Sequence, residues 1–154
     1  MPARPKIIVL VGLPGSGKST YVKKRGAALA SDEIRRLLAD DPDDQTIHSR
    51  VFGVLRALLK QRIELRRPVT YIDATNLTRI ERKPYLKMAA EHDCAIEAIF
   101  FDVPLEICQR RNRKRQRVVP DLVIEKMAAR LTPPSVEEGF EKVSVIGPTG
   151  RPRR

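Results

Sequence analysis

The chain has 154 residues, and 30 Lys and Arg side chains against 19 Asp and Glu side chains give a formal net charge of +11. This length fits a single domain, residues 1–154, and a hydrophobic fraction of 42% excludes a largely disordered chain. No apolar run approaches the ~20 residues of a membrane span, the start lacks a secretory signal, and two cysteines cannot form a disulfide framework, so we expect a cytoplasmic location.

Short apolar runs alternate with longer helical patterns along the chain. The runs predict five strands, over residues 7–11, 27–30, 69–73, 95–101 and 143–146. The patterns and their capping residues predict helices over about 17–25, 31–39, 45–67, 78–92, from 104 into a basic segment, and 120–130. This alternation predicts an α/β fold with a parallel sheet flanked by helices, and the Pro/Gly/Arg-rich residues 147–154 are expected to fray.

Residues 12–20, GLPGSGKST, follow the first predicted strand and match the pattern GxxxxGK[ST] of a phosphate-binding loop. Glycines let backbone N–H groups turn inward around phosphate oxygens, and the following helix adds its N-terminal amides. We expect Lys18 to reach the β- and γ-phosphates and the Ser19 hydroxyl to bind Mg²⁺ as a hard oxygen ligand. The predicted nucleotide-binding residues are Gly12, Gly15, Ser16, Gly17, Lys18, Ser19 and Thr20.

Polar residues follow the second and third predicted strands, at the edge of the sheet where the phosphate loop also lies. Asp32 is placed to act as a general base and Arg35, one helical turn later, to bind a substrate phosphate; a helix cap and a solvated arginine explain this pair equally well. Asp73 occupies a position typical of a carboxylate that holds Mg²⁺, with a structural role in a turn as the alternative. Thr75 and Asn76 add short polar groups at the same edge.

The basic run RRNRKRQR, residues 110–117, has three interpretations. It is a nucleic-acid patch, a solvated helix face, or a lid that brings arginines onto nucleotide phosphates. The net charge favours a polyanionic partner such as nucleic acid, and a basic surface with no such partner fits it as well. His48 and His92 fall near no motif, so we expect them on the surface or on a helix face.

In this order, GLPGSGKST, SDEIR, DATNL, RRNRKR and VVPDLVIEKM resemble the kinase domain of phage and bacterial end-healing polynucleotide 5′-hydroxyl kinases, over about residues 6–146. The resemblance implies a P-loop kinase core with a parallel sheet of about five strands and an Arg-rich helical lid over roughly 108–120. It implies that Asp32 deprotonates the 5′-OH of DNA or RNA and that Arg35 contacts the adjoining phosphate on the 3′ side. It also implies that Arg111 and Arg115 hold the phosphates of ATP, with Arg110, Arg113 and Arg117 close enough in sequence to exchange roles.

The resemblance further matches Asp73, Thr75 and Asn76 to the third motif of the family, which makes Ser19 and Asp73 the expected metal ligands and Thr75 and Asn76 substrate contacts. The leading hypothesis is therefore transfer of the γ-phosphate of ATP or another NTP, with Mg²⁺, to a nucleic-acid 5′-OH. The alternatives are a small-molecule kinase of the same fold, acting on a sugar, nucleoside or antibiotic, and a non-enzymatic nucleotide-dependent binding module.

Overall fold

Strands and helices alternate along residues 4–153, the part of the chain that the computed structural model describes. The strands in this part are Lys6–Val11 (β1), Ala28–Ala30 (β2), Val69–Asp73 (β3), Ala95–Phe101 (β4), Lys142–Ile146 (β5) and Pro152–Arg153 (β6). The α-helices are Lys18–Lys23 (α1), Ser31–Ala39 (α2), His48–Glu64 (α3), Arg79–Glu91 (α4), Leu105–Arg113 (α5) and Asp121–Arg130 (α6). Short 3₁₀ turns cover Gln45–Ile47 and Val136–Glu138.

The strands form one mixed sheet in the order β2-β3-β1-β4-β5-β6. The first five of these are parallel, as predicted, and β6 runs antiparallel to β5. The prediction that 147–154 frays is wrong for residues 147–153, because a turn in which Gly150 N donates to Gly147 O folds the tail back along β5. Pro152 is compatible with an edge strand, where its missing N–H is not needed. Residue 154 lies outside the described residues.

The sheet is buried on both faces, because side chains of β1 alternate between two hydrophobic clusters. Ile7, Val9 and Val11 pack with helices α3 and α4, while Ile8 and Leu10 pack on the other face, with α1. Within residues 4–153, no helix is both long enough and apolar enough to cross a membrane.

The order of the strands determines where the functional loops meet. β1 lies between β3 and β4, so the loops after these strands leave the same edge of the sheet, as ligand-binding loops do in α/β folds. The loop after β1 leads into α1, and the loop after β4 leads into α5, the first part of the predicted lid. Helix α5 ends at Arg113, and the rest of the basic segment is an irregular loop that reaches α6 at Asp121.

Candidate functional site

A cleft of about 1250 Å³ opens at the carboxyl ends of the parallel strands. The phosphate loop, the start of α2, the end of β3 and the basic segment after β4 all line it. It brings together the predicted residues Gly15, Ser16, Gly17, Lys18, Ser19, Thr20, Asp32, Arg35, Asp73, Thr75, Arg111 and Arg115. Residues that are up to about a hundred positions apart in the sequence therefore share one solvent-filled space.

The phosphate loop has the form of an anion cradle. Gly15 and Gly17 have φ angles of +84° and +104°, in the left-handed region that favours glycine. The Ser16 hydroxyl is buried and has no hydrogen-bond partner within residues 4–153. An orphaned hydroxyl beside two left-handed glycines fits a loop that closes around the phosphates of a nucleotide.

Lys18 lies across this loop with its ammonium group buried. Its Nζ donates hydrogen bonds to Gly12 O at 2.7 Å and to Leu13 O at 2.9 Å. Burial lowers the pKa of Lys18 to about 8, and the Asp73 carboxylate partly opposes this change. A buried cation held only by carbonyl groups gains a stronger partner when a phosphate enters the cleft.

Ser19 and Asp73 form the candidate metal site at the mouth of the loop. Ser19 Oγ donates to Asp73 Oδ2 at 3.0 Å, and burial raises the pKa of Asp73 although Lys18 and this hydrogen bond lower it. No group of three or more His, Cys, Asp or Glu side chains suited to a metal exists in the described part of the chain. The Ser19 and Asp73 oxygens are hard ligands that fit Mg²⁺, which keeps several waters and completes its shell with substrate phosphates.

The start of α2 forms the other wall of the cleft. Arg35 Nη1 donates to Asp32 Oδ1 at 3.1 Å, one helical turn apart. The Asp32 side chain is 50% exposed, whereas that of Arg35 is 5% exposed and its Nε has no partner among residues 4–153. A half-exposed carboxylate beside a buried guanidinium with an unused N–H suits an acceptor that carries both a hydroxyl and an anionic group.

The basic segment reaches across the cleft through a residue for which the sequence predicts no separate role. Arg117 Nη1 donates to Asp32 Oδ2 at 2.7 Å, and Arg117 Nε donates to Asp43 Oδ1. Both carboxylate oxygens of Asp32 are thus held by arginines, one from α2 and one from the loop after α5. The basic run was the available signal, but nothing local in the sequence pairs Arg117 with a carboxylate 85 positions away.

Three contacts hold the base of this segment, and one of them lies against the phosphate loop. The buried Asn112 amide donates to Val119 O and its Oδ1 accepts from Val119 N at 3.0 Å, which closes the loop between α5 and α6. A Cβ atom placed on Gly15 would lie 2.4 Å from Cys108 O, so the phosphate loop and α5 touch backbone to backbone. Arg111 donates to Pro148 O in the turn before β6.

Two predicted binding residues do not line the cleft. Asn76, predicted to contact substrate, is buried at a φ of +49° and its Nδ2 donates to Leu10 O at 2.7 Å, so it holds the end of β3 against β1. Gly12, predicted to bind nucleotide, lies beneath the loop, where its N–H donates to Thr75 O and its carbonyl accepts from Lys18. Both residues position the site rather than line it.

A buried ion pair supports the segment around Asn76. Arg82 Nε donates to Glu138 Oε1 at 2.9 Å, with side-chain exposures of 0% and 4%, and Arg82 Nη1 donates to Asn76 O and Leu77 O. No local pattern in the sequence predicts this pair, whose members are 56 positions apart. Its effect is to tie the loop after β3 to the 3₁₀ turn at Val136–Glu138.

Comparison with known proteins shows to which family this chain belongs. A protein-family model described as an AAA domain matches residues 7–134, most of the chain. The chain belongs to this family. The AAA domain described here has the P-loop kinase type of α/β fold, with a mixed sheet of six strands in residues 4–153.

Among curated relatives, the bifunctional polynucleotide phosphatase/kinase of Schizosaccharomyces pombe is 27% identical over 146 residues, which is 92% of this chain and 33% of that protein. The L-seryl-tRNA(Sec) kinase of Methanococcus maripaludis is 24% identical over 143 residues, 88% of this chain and 56% of that protein. A solved structure of the Pnkp1/Rnl/Hen1 complex matches with a TM-score of 0.62 and 26% identity, covering 76% of this chain and 40% of that one. The AAA domain thus spans about a third to a half of these proteins.

Proposed function

We propose that this P-loop kinase transfers the γ-phosphate of ATP or another NTP to the 5′-OH of DNA or RNA. The observation that carries the proposal is the Asp32–Arg35 pair, which faces the phosphate loop across one cleft. A kinase for hydroxyl acceptors needs a base opposite the donor phosphates, and Asp32 is the half-exposed carboxylate in that position.

The transfer is an in-line displacement on the γ-phosphorus. The 5′-oxygen forms the new P–O bond, the bond from the γ-phosphorus to the bridging oxygen of ADP breaks, and the proton of the 5′-OH passes to Asp32. Arg35 and Arg117 orient the two oxygens of Asp32 for this step. Lys18, Arg111 and Arg115 stabilise the charge on the phosphates from the donor side.

Ser19 and Asp73 are the residues that would hold Mg²⁺. When bound, the ion supplies positive charge next to the β- and γ-phosphates of the donor. The raised pKa of Asp73 fits this role, because a cation stabilises a carboxylate that burial otherwise destabilises.

The surroundings of Arg35 favour a nucleic-acid acceptor over a small neutral one, because its guanidinium is suited to bind an anionic group of the acceptor. Its guanidinium is buried and its Nε is unpaired in the described structure, and a phosphate on the 3′ side of the terminal nucleoside is a matching partner. The net charge of +11 agrees with a polyanionic acceptor, and the names of the two curated relatives described above include a nucleic acid. A sugar or nucleoside offers no such phosphate.

Transfer of label from γ-labelled ATP with Mg²⁺ tests the proposal. A 5′-OH oligonucleotide, a nucleoside and a hexose are compared as acceptors, and we expect efficient transfer to the oligonucleotide alone. Asp32→Asn should reduce kcat by roughly 100-fold or more, as expected on loss of a general base. Glu33→Gln is the matched control, because Glu33 is an exposed carboxylate on the same helix that pairs with Arg36.

Two results would sink this proposal. One is transfer to the nucleoside or hexose in preference to the oligonucleotide, which would make the protein a small-molecule kinase. The other is equal kcat for Asp32→Asn and Glu33→Gln, which would remove Asp32 from the chemistry.

A further inference from the structure

A second concavity, the α3–α4 groove, lies on the outer surface between helices α3 and α4 and has a volume of about 600 Å³. Four cationic side chains line it: Arg56 and Lys60 from α3, and Lys83 and Lys87 from α4. Glu91 is the carboxylate among the lining residues, and it is 3.8 Å from Lys87. Cations therefore outnumber carboxylates by four to one along this groove, which neither the fold nor the proposed chemistry explains.

Helix α3 connects this groove to the cleft. His48 and Phe52 line the cleft, and Arg56 and Lys60, at the next two steps of four residues, line the groove. Residues four apart in a helix are neighbours about 6 Å apart along its axis, so these four side chains form one continuous stripe. The His48 and Phe52 rings lie against each other, with centroids 4.7 Å apart and planes at 42°.

We propose that this stripe, together with Lys83 and Lys87, is the path along which a single-stranded nucleic-acid acceptor leaves the cleft. The proposal rests on the proposed function and adds a binding track to it. His48 is exposed and Phe52 is partly buried against the core, so the outer sides of the two rings are available to a base next to the acceptor end. The groove cations bind the phosphates that follow.

Charge and continuity favour this occupant over an acidic protein segment. Asp32, His48 and Phe52 all line the same cleft, so a strand whose 5′ end lies at Asp32 can pass His48 and Phe52 as it leaves. Beyond Phe52, the next two residues at this spacing on α3, Arg56 and Lys60, line the groove. An acidic segment would match the cations but would not use the aromatic pair or the cleft residues on the same stripe.

The test compares a dinucleotide acceptor, which fills only the cleft, with a 12-nucleotide single strand, which also reaches the groove. The variant Arg56→Gln/Lys83→Gln removes one cation from each wall. Arg67→Gln/Lys126→Gln is the matched control, since both residues are exposed, lie outside the cleft and the groove, and change the net charge equally.

We expect the groove variant to raise KM for the 12-nucleotide strand about tenfold relative to KM for the dinucleotide, with kcat retained. Two lost phosphate contacts should also lower the slope of log affinity against log salt by about 1.4, at ~0.7 for each contact on a single strand. Phe52→Leu should raise KM for the longer strand as well, since stacking on the ring is lost while the side chain stays apolar.

The outcomes separate the two proposals. Absence of transfer to both acceptors by the wild-type protein would overturn the proposed function itself. Transfer to both acceptors with equal KM increases in the groove and control variants would overturn the track alone, because net charge would then explain the effect. Competition by a poly-glutamate peptide at lower concentration than the 12-nucleotide strand would overturn the track in favour of a protein partner.

Discussion

The contact between the phosphate loop and α5 makes two glycine substitutions informative. Gly15 and Gly17 both have φ angles in the left-handed region, at +84° and +104°, so alanine is strained at either position. Their surroundings differ, because a Cβ on Gly15 would lie 2.4 Å from Cys108 O and 3.4 Å from Asn112 N. A Cβ on Gly17 meets no described atom within 4 Å.

The difference in free energy of unfolding follows from this geometry. Backbone strain costs about 1–2 kcal/mol at each site, and the reduced entropy of the unfolded chain offsets about 0.4–1 kcal/mol of it. Gly15→Ala adds a collision with helix backbone, for which overpacking costs of about 1–3 kcal/mol are typical. We expect Gly15→Ala to be less stable than Gly17→Ala by about 1–3 kcal/mol.

Urea denaturation of the nucleotide-free protein measures this difference, with the free energy of unfolding extrapolated to water for both variants and the wild type. The comparison of two alanine variants cancels the strain that they share. Equal stability of Gly15→Ala and Gly17→Ala would refute the reasoning, because it would mean that α5 does not lie against the phosphate loop.

Two further predictions concern buried charges. Nucleotide affinity should be constant below about pH 8 and fall above it, because Lys18 has a pKa of about 8 and only its protonated form attracts phosphate. Calorimetric titration on both sides of this pH measures the affinity, and an affinity that rises with pH would contradict the prediction. Arg82→Met should lower the free energy of unfolding by about 3–5 kcal/mol, because Glu138 is left as a buried, unpaired carboxylate. In urea denaturation, Arg82→Met/Glu138→Leu should recover most of this loss, and a double variant less stable than the single one would contradict the prediction.

The parallel core of the fold follows from local patterns. Residues 7–11 of β1 are a run of five β-branched or leucine residues before a glycine, and such a run is typical of a strand buried on both faces. Thr78 begins α4 as predicted, with its hydroxyl accepting from Glu81 N. β6 has no such pattern: its place depends on the turn at Gly147–Gly150 and on an ion pair between Arg153 and Asp102 at 2.6 Å, neither of which is encoded within the strand.

In the candidate site too, some features follow from the local sequence and others depend on contacts between distant residues. The phosphate loop carries its geometry in its own glycines, so its spacing alone predicts the cradle. The resemblance of DATNL to a family motif predicts Asn76 as a substrate contact, but a left-handed backbone turns its amide inward to Leu10 O. Arg117 reaches Asp32 and Asp43 only because the closed loop after α5 brings it across the cleft, and a contact of that range has no local signature.

The central claim is that Asp32 takes the proton of a nucleic-acid 5′-OH. A crystal structure with a non-hydrolysable ATP analogue, Mg²⁺ and a 5′-OH oligonucleotide tests it most directly, through the distance from the Asp32 carboxylate to the 5′-oxygen. We predict a distance of about 3 Å, with the Arg35 guanidinium donating to the first phosphate of the strand. A 5′-oxygen bound beyond hydrogen-bond reach of Asp32, with no single water linking the two, would contradict the account.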